Sequence, residues 1–267
     1  MAPWVISHFP PHRVYVEPFG GAASVLMCKP PSHEEVYNDL DREVVNVFRV
    51  LRDPAKAHEL ERRLSLTPYA REEFVGAYEV NETDDDIELA RKKIIKSAMS
   101  YGIGGINRAS YNGFRSRRGE QQYVSKDWMK YPSEIRVFVE RLQGVVIENR
   151  DAVLVIQKYD SPDTLHYIDP PYLPITRTEK GQVLYKHEMT EDEHVALAST
   201  LQGLTGMVVL SGYESDLYAD LYPSWQTISR KSWAMTNVER RECLWISPAA
   251  SERMAQRNLF EGEEAAS

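Results

Sequence analysis

The spacing of apolar residues predicts that the first part of the chain alternates between strands and helices. The segment RVYVEPFGGAASVLM (13–27) contains a short apolar strand, a glycine turn and an apolar helix. The segment EVYNDLDREVVNVFRVLRD (35–53) contains a second strand, ending near Asn38 and Asp39, and then a helix. That helix carries an apolar stripe with helical spacing, formed by Val44, Val47, Phe48 and Leu51. Two consecutive strand–helix units indicate a parallel sheet.

The pattern changes in the middle of the chain. Residues 54 to about 101 are predicted to be helical, with one apolar face formed by Ile87, Ala90, Ile94, Ile95 and Ala98. The next stretch, YGIGGINRASYNGFRSRRGEQQY (101–123), contains five glycines among polar and aromatic residues, which predicts a loop or hairpin lobe. The α/β pattern then returns with GVVIENRDAVLVIQKY (144–159), a strand followed by a helix.

The remaining pattern completes an α/β fold with an insertion. TLHYID (164–169) and GMVVLSGY (206–213) predict strands, residues 190–202 predict a helix, and SWQTISRKSWA and RECLWIS predict a closing antiparallel pair. We therefore predict a discontinuous sheet domain, an inserted and mainly helical domain, and a C-terminal tail. Their bounds are 1–53 with 144–250, 54–143, and 251–267.

Composition and charge narrow the class of protein. No apolar run approaches membrane-spanning length, and Cys28 and Cys243 lie far apart without metal-type spacing. We expect a protein of the reducing cytoplasm without a membrane segment, a metal site or an obligate protein partner. The net charge of −8 argues against a uniformly basic nucleic-acid binder, yet eight Lys or Arg residues and no acid lie between Arg91 and Gly119. That stretch is either a solvated charged face or a surface for a phosphate backbone.

Two turns of the predicted sheet have ligand-binding character. In EPFGGAAS (17–24), glycines after a strand allow close backbone approach, and the next helix offers N–H donors, although such turns also serve packing alone. Asp39, after the second strand, suits either a ribose contact or a helix N-cap. Asp151, between a strand and a helix, suits either an N-cap or a contact to a purine amino group. Together these residues favour a nucleoside-containing cofactor.

The sequence HYIDPPYL places a rigid polar turn after a strand. Asp169 lies at the carboxyl end of that strand, where open α/β sheets bind ligands. Pro170 and Pro171 fix the backbone and hold their carbonyls in one orientation, and Tyr172 supplies an aromatic face. Two acceptors beside a stacking surface suit a flat ring with an exocyclic amino group. The alternative is a rigid turn with a core tyrosine.

The motifs VEPFGGAASV, YNDLDREVVNVFRVLRD and HYIDPPYL, in this order, resemble the Dam-like family of S-adenosylmethionine-dependent DNA N6-adenine methyltransferases. The resemblance extends from about residue 13 to 235. It implies a Rossmann-like class I methyltransferase, with a mixed sheet and an inserted target-recognition domain at 54–143. It also implies double-stranded DNA as the partner, methylation of a flipped-out adenine, and a place in restriction and modification.

The resemblance assigns roles to matching positions. It implies that S-adenosylmethionine is bound by Glu17, Phe19, Gly20, Gly21, Asp39, Asp151 and Asp169. It implies that the target adenine is held and stacked by Asp169, Pro170, Pro171 and Tyr172. Where the family turn ends in a further glycine, this chain has Ala23, a small change that we expect to be tolerated.

DNA contacts are expected from the glycine-rich lobe. Base edges or phosphates would be contacted by Arg108, Asn112, Arg115, Arg117 and Arg118, although each arginine also suits simple solvation. Tyr111 or Phe114 would wedge into the base stack, and Tyr185 would close over the flipped base or lie at the surface.

One departure from the family pattern concerns the N-terminus. The family opens with a Tyr/Trp-x-Gly-Gly-Lys segment, whereas this sequence begins MAPWVISHFPPHR. We expect either a truncated chain, with its cofactor affinity affected, or a short natural variant with weak or lost activity. The alternative functions are methylation of another planar amino group (cytosine N4, an RNA base or a protein glutamine) and DNA binding with an impaired cofactor site.

Overall fold

The computed structural model describes residues 1–79, 81–100, 113–116, 124–173, 188–233 and 239–264. Within these residues, seven strands form one mixed sheet in the order β3-β2-β1-β4-β5-β7-β6. The strands are β1 (Val14–Glu17), β2 (Glu34–Asn38), β3 (Val145–Glu148), β4 (Thr164–Ile168), β5 (Met207–Tyr213), β6 (Gln226–Trp233) and β7 (Glu239–Ile246). The predicted α/β fold with a mixed sheet is confirmed.

Helices connect and flank these strands. Those of the first part of the chain are α1 (Ala2–Ile6), α2 (Ser24–Cys28), α3 (Arg42–Leu51), α4 (Pro54–Ser65), α5 (Arg71–Gly76) and α6 (Asp86–Met99). Those of the second part are α7 (Val124–Leu142), α8 (Ala152–Lys158), α9 (Glu191–Gln202), α10 (Asp216–Leu221) and α11 (Pro248–Glu264).

The sheet register brings four strand ends to one edge. β1 pairs in parallel with β2 and with β4, and β4 pairs in parallel with β5. β7 is antiparallel to both β5 and β6. Its pairing with β6 is the closing antiparallel pair that the sequence predicted. Because β1, β2, β4 and β5 run in the same direction, the polar residues that follow each of them gather at their shared carboxyl edge.

The chain divides into two compact units. The first comprises Met1–Asn38, Arg150–Gln182 and Met189–Ser267. Its main apolar cluster includes Leu197 and Leu201 of α9, Leu210 of β5, Tyr218 of α10 and Trp245 of β7. These side chains are nearly inaccessible to solvent, so the central strands are held from one face by a continuous apolar layer.

The second unit comprises Asp39–Asn149 and Val183–Glu188. Helix α3 packs on α6, and α4 packs on both α6 and α7. These boundaries differ from the predicted ones, because α3 and β3 group with the insertion. The reason is the side chemistry of α3, where Asp41 and Glu43 pair with Lys93 and Lys96 of α6.

Half of the basic stretch after Arg91 is neutralised inside the second unit. Arg91 contacts Glu73 and Glu88, and three further cations pair with carboxylates in the same way. These pairs are Lys92–Asp84, Lys93–Asp41 and Lys96–Glu43. The helical half of the stretch therefore supports the fold, and its second half, from Arg108, is left as the candidate phosphate surface.

Helix boundaries differ from the sequence expectation in two places. The described residues between 54 and 100 form three helices, α4, α5 and α6, rather than one continuous helix. The break after α4 precedes Pro68, and the break before α6 is a turn that ends at the N-cap Asp85. The segment predicted as a C-terminal tail (251–267) lies in a helix as far as Glu264. This helix, α11, begins at Pro248.

Candidate active site

Asp169 follows β4 directly and is held from one side. The hydroxyl Oγ of Ser211 donates to Asp169 Oδ1 at 2.6 Å, and the phenol of Tyr172 donates to the same oxygen at 3.0 Å. Both donors bind Oδ1, and none of the described residues donates a hydrogen bond to Oδ2 of this carboxylate. One oxygen is thus fixed by the protein and the other remains an acceptor.

The surroundings of Asp169 make its ionised form less favourable than in water. Burial raises the pKa of its carboxyl above the usual 3.8, and the hydrogen bonds from Ser211 and Tyr172 act in the opposite direction. The two donors therefore offset part of the desolvation and favour a carboxylate that can accept hydrogen bonds.

An aromatic pair lies beside this carboxylate. The ring centroids of Tyr172 and Tyr213 are 4.7 Å apart, and the planes cross at 61°, an edge-to-face contact. Pro170 is buried, whereas Pro171 and Tyr172 are half-buried. The edge-to-face contact restrains the Tyr172 ring next to Asp169.

Glu17, the last residue of β1, is a second carboxyl of the site and is buried. Its Oε2 accepts hydrogen bonds from Tyr15 at 2.7 Å and from the backbone N–H of Leu26 at 3.0 Å. Burial raises the pKa of Glu17 to about 8; the two donors oppose this shift, and the charge of Asp169 adds to it. A buried and a partly buried acid, both with raised pKa values, fit a ligand that carries positive charge.

The glycine turn after β1 is shaped by a tyrosine of β2. A side chain on Gly20 would overlap the Tyr37 ring, because a Cβ there would lie 1.9 Å from Cε2. The Tyr37 phenol donates to the Gly21 carbonyl at 2.7 Å. Gly21 and Ala23 both have positive φ, 49° and 53°, so Ala23 occupies a conformation that favours glycine. The turn needs Gly20 for packing and Gly21 for its backbone angle.

Asn38 joins this turn to the loop before α8. Its Nδ2 donates to the carbonyls of Pro18 at 2.9 Å and Arg150 at 3.0 Å, and its Oδ1 accepts the Arg150 N–H at 2.9 Å. The side chain is fully buried. Three hydrogen bonds from one amide therefore set the spacing of the two loops that were predicted to bind the cofactor.

Asp151 caps α8, as one of its two interpretations predicted. Its Oδ1 accepts the N–H groups of Val153 at 2.9 Å and Leu154 at 3.2 Å. The residue is exposed. Phe19 is partly buried and packs against the apolar cluster of the first unit. The N-cap and the packing contact are compatible with ligand contacts, which stay predictions.

Asp39, in the second unit, is buried but is not an N-cap. Its Oδ1 accepts the backbone N–H of Asp41 at 2.7 Å, and Asp41 caps α3 through Glu43 N–H. The Asn149 side chain donates to the Asp39 carbonyl at 2.6 Å. The N-cap interpretation of Asp39 is therefore wrong, and its ribose contact stays a prediction.

Most residues predicted to contact DNA lie outside the described residues: Arg108, Tyr111, Asn112, Arg117, Arg118 and Tyr185. Arg115 is described, and its guanidinium donates to the Ala98 carbonyl at 3.1 Å. Phe114 packs between Tyr69 and Phe74, with ring centroids at 5.2 and 5.7 Å. Both side chains thus have intramolecular contacts.

Comparison with known proteins identifies the family. Residues 1–237 match the model of the D12 class N6 adenine-specific DNA methyltransferase family. The chain belongs to this family. It is an adenine-specific DNA methyltransferase, which confirms the resemblance seen in the sequence motifs.

Two relatives carry the names of type II methyltransferases. M.MjaIII of Methanocaldococcus jannaschii is 21% identical over 232 residues, which cover 79% of this chain and 77% of the relative. M1.LlaDCHI of Lactococcus lactis subsp. cremoris is 25% identical over 222 residues, covering 78% of this chain and 75% of the relative. The similarity is distant but extends over most of each chain.

Two further observations concern membrane-spanning helices and metal-binding clusters. Within the described part of the chain, every helix is too short or too polar to cross a bilayer. Across the same residues, His, Cys, Asp and Glu side chains form no cluster of three or more suited to a metal ion.

Several residues that support the site were not predicted from the sequence. Ser211 and Tyr213 contact the Asp-Pro-Pro-Tyr motif, and Asn38 and Tyr37 order the loops. The segment LSGYES could have indicated them. Polar residues occupy alternate positions there, directly after the apolar run of a buried strand. The identity of their partners required the strand register.

Proposed function

We propose that the protein transfers a methyl group from S-adenosylmethionine to N6 of a flipped-out adenine in double-stranded DNA, with Asp169 as the acceptor of the target amino group. The observation that carries this proposal is the asymmetric carboxylate of Asp169, which has two donors on Oδ1 and none from the described residues on Oδ2. In this proposal Oδ2 and the Pro170 carbonyl accept the two N6 hydrogens, and Tyr172 stacks on the base.

The site residues fit a cationic cofactor. S-adenosylmethionine supplies a methyl group on a positively charged sulfur and also carries an ammonium group. Glu17 ends β1 and Asp169 follows the adjacent β4; Glu17 is buried, Asp169 is partly buried, and both have raised pKa values, so a nearby positive charge would stabilise both carboxylates. Gly20 and Gly21 provide the close backbone turn, and Asp39 and Asp151 would hold the nucleoside part.

The chemistry requires positioning rather than a covalent enzyme intermediate. Adenine N6 is a weak nucleophile because its lone pair is delocalised into the ring. Acceptors on both N–H bonds favour a more tetrahedral nitrogen whose lone pair is available to the methyl carbon. S-adenosylmethionine would supply the methyl group: the C–N bond would form as the C–S bond breaks with its electrons staying on sulfur. N6 would then release one proton through Asp169 Oδ2 to solvent water. Holding both reactants in line supplies much of the acceleration.

Access to the target requires that the base leave the duplex. Extrusion costs a few kcal/mol, and stacking on Tyr172 would return about 1–3 kcal/mol. The lobe at 101–123 and Tyr185 would contact DNA and read its sequence. A place in the cytoplasm remains a prediction.

The direct test is to identify the modified nucleoside. DNA incubated with the protein and S-adenosylmethionine should release N6-methyladenine on digestion, detected by mass spectrometry. Asp169→Asn should abolish transfer and keep DNA binding, whereas Asp192→Asn, an exposed acid of α9, should behave as wild type. Release of N4-methylcytosine alone, or substantial turnover by Asp169→Asn, would refute the assigned substrate or role.

A second test addresses cofactor binding. Calorimetry with S-adenosylmethionine should show binding to the chain as it stands, and Glu17→Gln should weaken it. If the chain binds DNA but not the cofactor, the alternative of an impaired cofactor site is the correct one.

A further inference from the structure

We propose that β5 positions the Asp-Pro-Pro-Tyr motif for methyl transfer: Ser211 orients the Asp169 carboxylate, and Tyr213 supports the Tyr172 ring. This inference rests on the proposed role of that motif. It assigns Ser211 and Tyr213 as positioning residues, since they contact the residues that would hold the adenine and are not assigned a contact with the adenine itself.

The register of the sheet brings the partners together. β4 and β5 are parallel, and Ile168 pairs with Leu210. The next residues of the two strands, Asp169 and Ser211, therefore come side by side at the carboxyl edge. Their side chains meet at 2.6 Å, the short distance typical of a hydroxyl that donates to a carboxylate.

The alternation of side chains along β5 assigns the two positions to one face. Ser211 and Tyr213 are two residues apart and point to the same side of the strand. The intervening Gly212 has no room for a side chain on the other side, where a Cβ would lie 3.0 Å from Tyr218 and 3.3 Å from Trp245. The tripeptide thus presents two supporting side chains to the motif and a bare backbone to the core.

Ser211 is itself oriented by the sheet. It is buried, with 7% of its surface exposed, and the Tyr167 phenol lies 3.4 Å from its Oγ as a long donor contact. A hydroxyl that accepts from Tyr167 has its own proton free for Asp169 Oδ1. Oδ1 then stays engaged, and the carboxylate cannot rotate without losing the bond, so Oδ2 keeps one direction.

Tyr213 acts on the second half of the motif. Its ring contacts Tyr172 edge to face at 4.7 Å, and the Tyr172 phenol donates to Asp169. One ring rotation of Tyr172 would therefore break both contacts. Support from Tyr213 keeps the Tyr172 face available for stacking and keeps the second donor on Oδ1.

The test compares kinetics of β5 variants at saturating DNA and cofactor. Ser211→Ala should lower kcat about tenfold to a hundredfold, the effect expected for one hydrogen bond to a charged group, with less than a threefold change in cofactor KM. The acidic limb of the pH–rate profile should move to higher pH, because Asp169 loses a donor that favours its ionised form. Ser211→Thr, which keeps the hydroxyl, should recover most of the rate.

Ser247→Ala is the matched control. Ser247 is also buried, and its hydroxyl accepts hydrogen bonds from the backbone of Val208 and Ala250. This variant should lose stability without a shift of the acidic limb. If Ser211→Ala does not fold, Ser211→Cys, with a weaker donor of similar size, must show the same direction of shift.

Tyr213 is tested by a signal from the target base. Tyr213→Leu should reduce the fluorescence increase of 2-aminopurine placed at the target position, and Tyr213→Phe should retain it. An unshifted pH profile with wild-type kcat in Ser211→Ala, or full base flipping in Tyr213→Leu, would overturn the inference. Absence of N6-methyladenine with the wild-type protein would instead refute the proposed function.

Discussion

Two carboxyls with raised pKa values dominate the electrostatics of the candidate site at the scale of single residues. Glu17, buried at the end of β1, and Asp169, partly buried after β4, each accept two hydrogen bonds from the protein through one oxygen. Residues buried in this way lower stability when they ionise without a compensating charge. The chain tolerates this cost at the position where the proposed cofactor would bring positive charge.

Glu17→Gln should separate stability from function. The folded pKa of about 8 is above the usual 4.5, so the folded protein holds a proton that the unfolded chain releases between these pH values. The contribution of Glu17 to the free energy of unfolding is therefore largest below about pH 4.5 and decreases as the pH rises towards 8. At pH 8 the Gln variant should be more stable by up to roughly 4–5 kcal/mol in the absence of cofactor, as measured by urea unfolding.

The same variant should change the pH dependence of cofactor binding. In the wild-type protein, S-adenosylmethionine affinity should increase as the pH rises from 6.5 to 8.5, with proton release detected by calorimetry in buffers of different ionisation enthalpy. Glu17→Gln should bind more weakly at pH 8.5 and lose this dependence. An unchanged affinity and slope would contradict the assigned role of Glu17.

His166, in the centre of β4, should make the fold acid-sensitive. Its ring is buried and lies 3.4 Å from Asp160, and within the described residues its Nδ1 has no hydrogen-bond partner. Burial lowers its pKa to about 4, below the usual 6.5, so the unfolded chain takes up a proton that the folded protein does not. The contribution of His166 to the free energy of unfolding is largest above about pH 6.5. The free energy of unfolding should fall by up to roughly 3 kcal/mol as the pH decreases to 4.

The variant His166→Leu isolates this contribution. Asp160 keeps its bonds from the Thr205 N–H, the Thr205 hydroxyl and the Gly206 N–H, so the loop should remain ordered. Urea unfolding between pH 4 and 7 should show a weaker pH dependence than in the wild type. Equal dependence in the two proteins would show that His166 is not the group responsible.

At the scale of elements, the loops after β1 and β3 depend on one amide at the end of β2. The Asn38 amide donates hydrogen bonds to the carbonyls of Pro18 and Arg150, and it accepts one from the Arg150 N–H. An apolar residue there would leave the Arg150 N–H and two carbonyls without these partners. The two loops would then lose a fixed spacing.

Asn38→Leu should lower the free energy of unfolding by about 3 kcal/mol and weaken cofactor binding at least tenfold. The matched control is Asn46→Leu in the second unit, where Nδ2 donates to the Asp86 carbonyl alone. That variant should cost about 1 kcal/mol and leave cofactor affinity unchanged. Equal losses of affinity in both variants would argue against a specific role for Asn38.

At the scale of the whole molecule, charge is unevenly distributed. The chain carries a net charge of −8, and the cations of α6 are engaged with carboxylates. A polyanionic substrate therefore needs a local basic surface. The arginines at 108–118 are the part of the basic stretch for which this role is proposed.

The double variant Arg117→Ala/Arg118→Ala should weaken DNA binding and reduce its salt dependence. Each lost phosphate contact should lower the slope of log K against log salt concentration by about 0.9 in magnitude. Arg62→Ala is the control, because it removes a charge that pairs with Glu59 on α4. Filter binding or anisotropy at several salt concentrations measures the slope, and equal slopes in all three proteins would remove these arginines from the DNA surface.

The sequence by itself determined the order of elements, the parallel sheet, the insertion and the motifs of the family. These follow from local patterns, because periodicity and turn residues act over a few positions. Only the tertiary structure decided which side chains serve the motif. Ser211 meets Asp169 through the β4–β5 register, Asn38 joins residues more than 100 positions apart, and Asp41 rather than Asp39 caps α3. Such partners are chosen by strand pairing and packing, which depend on residues distant in the chain.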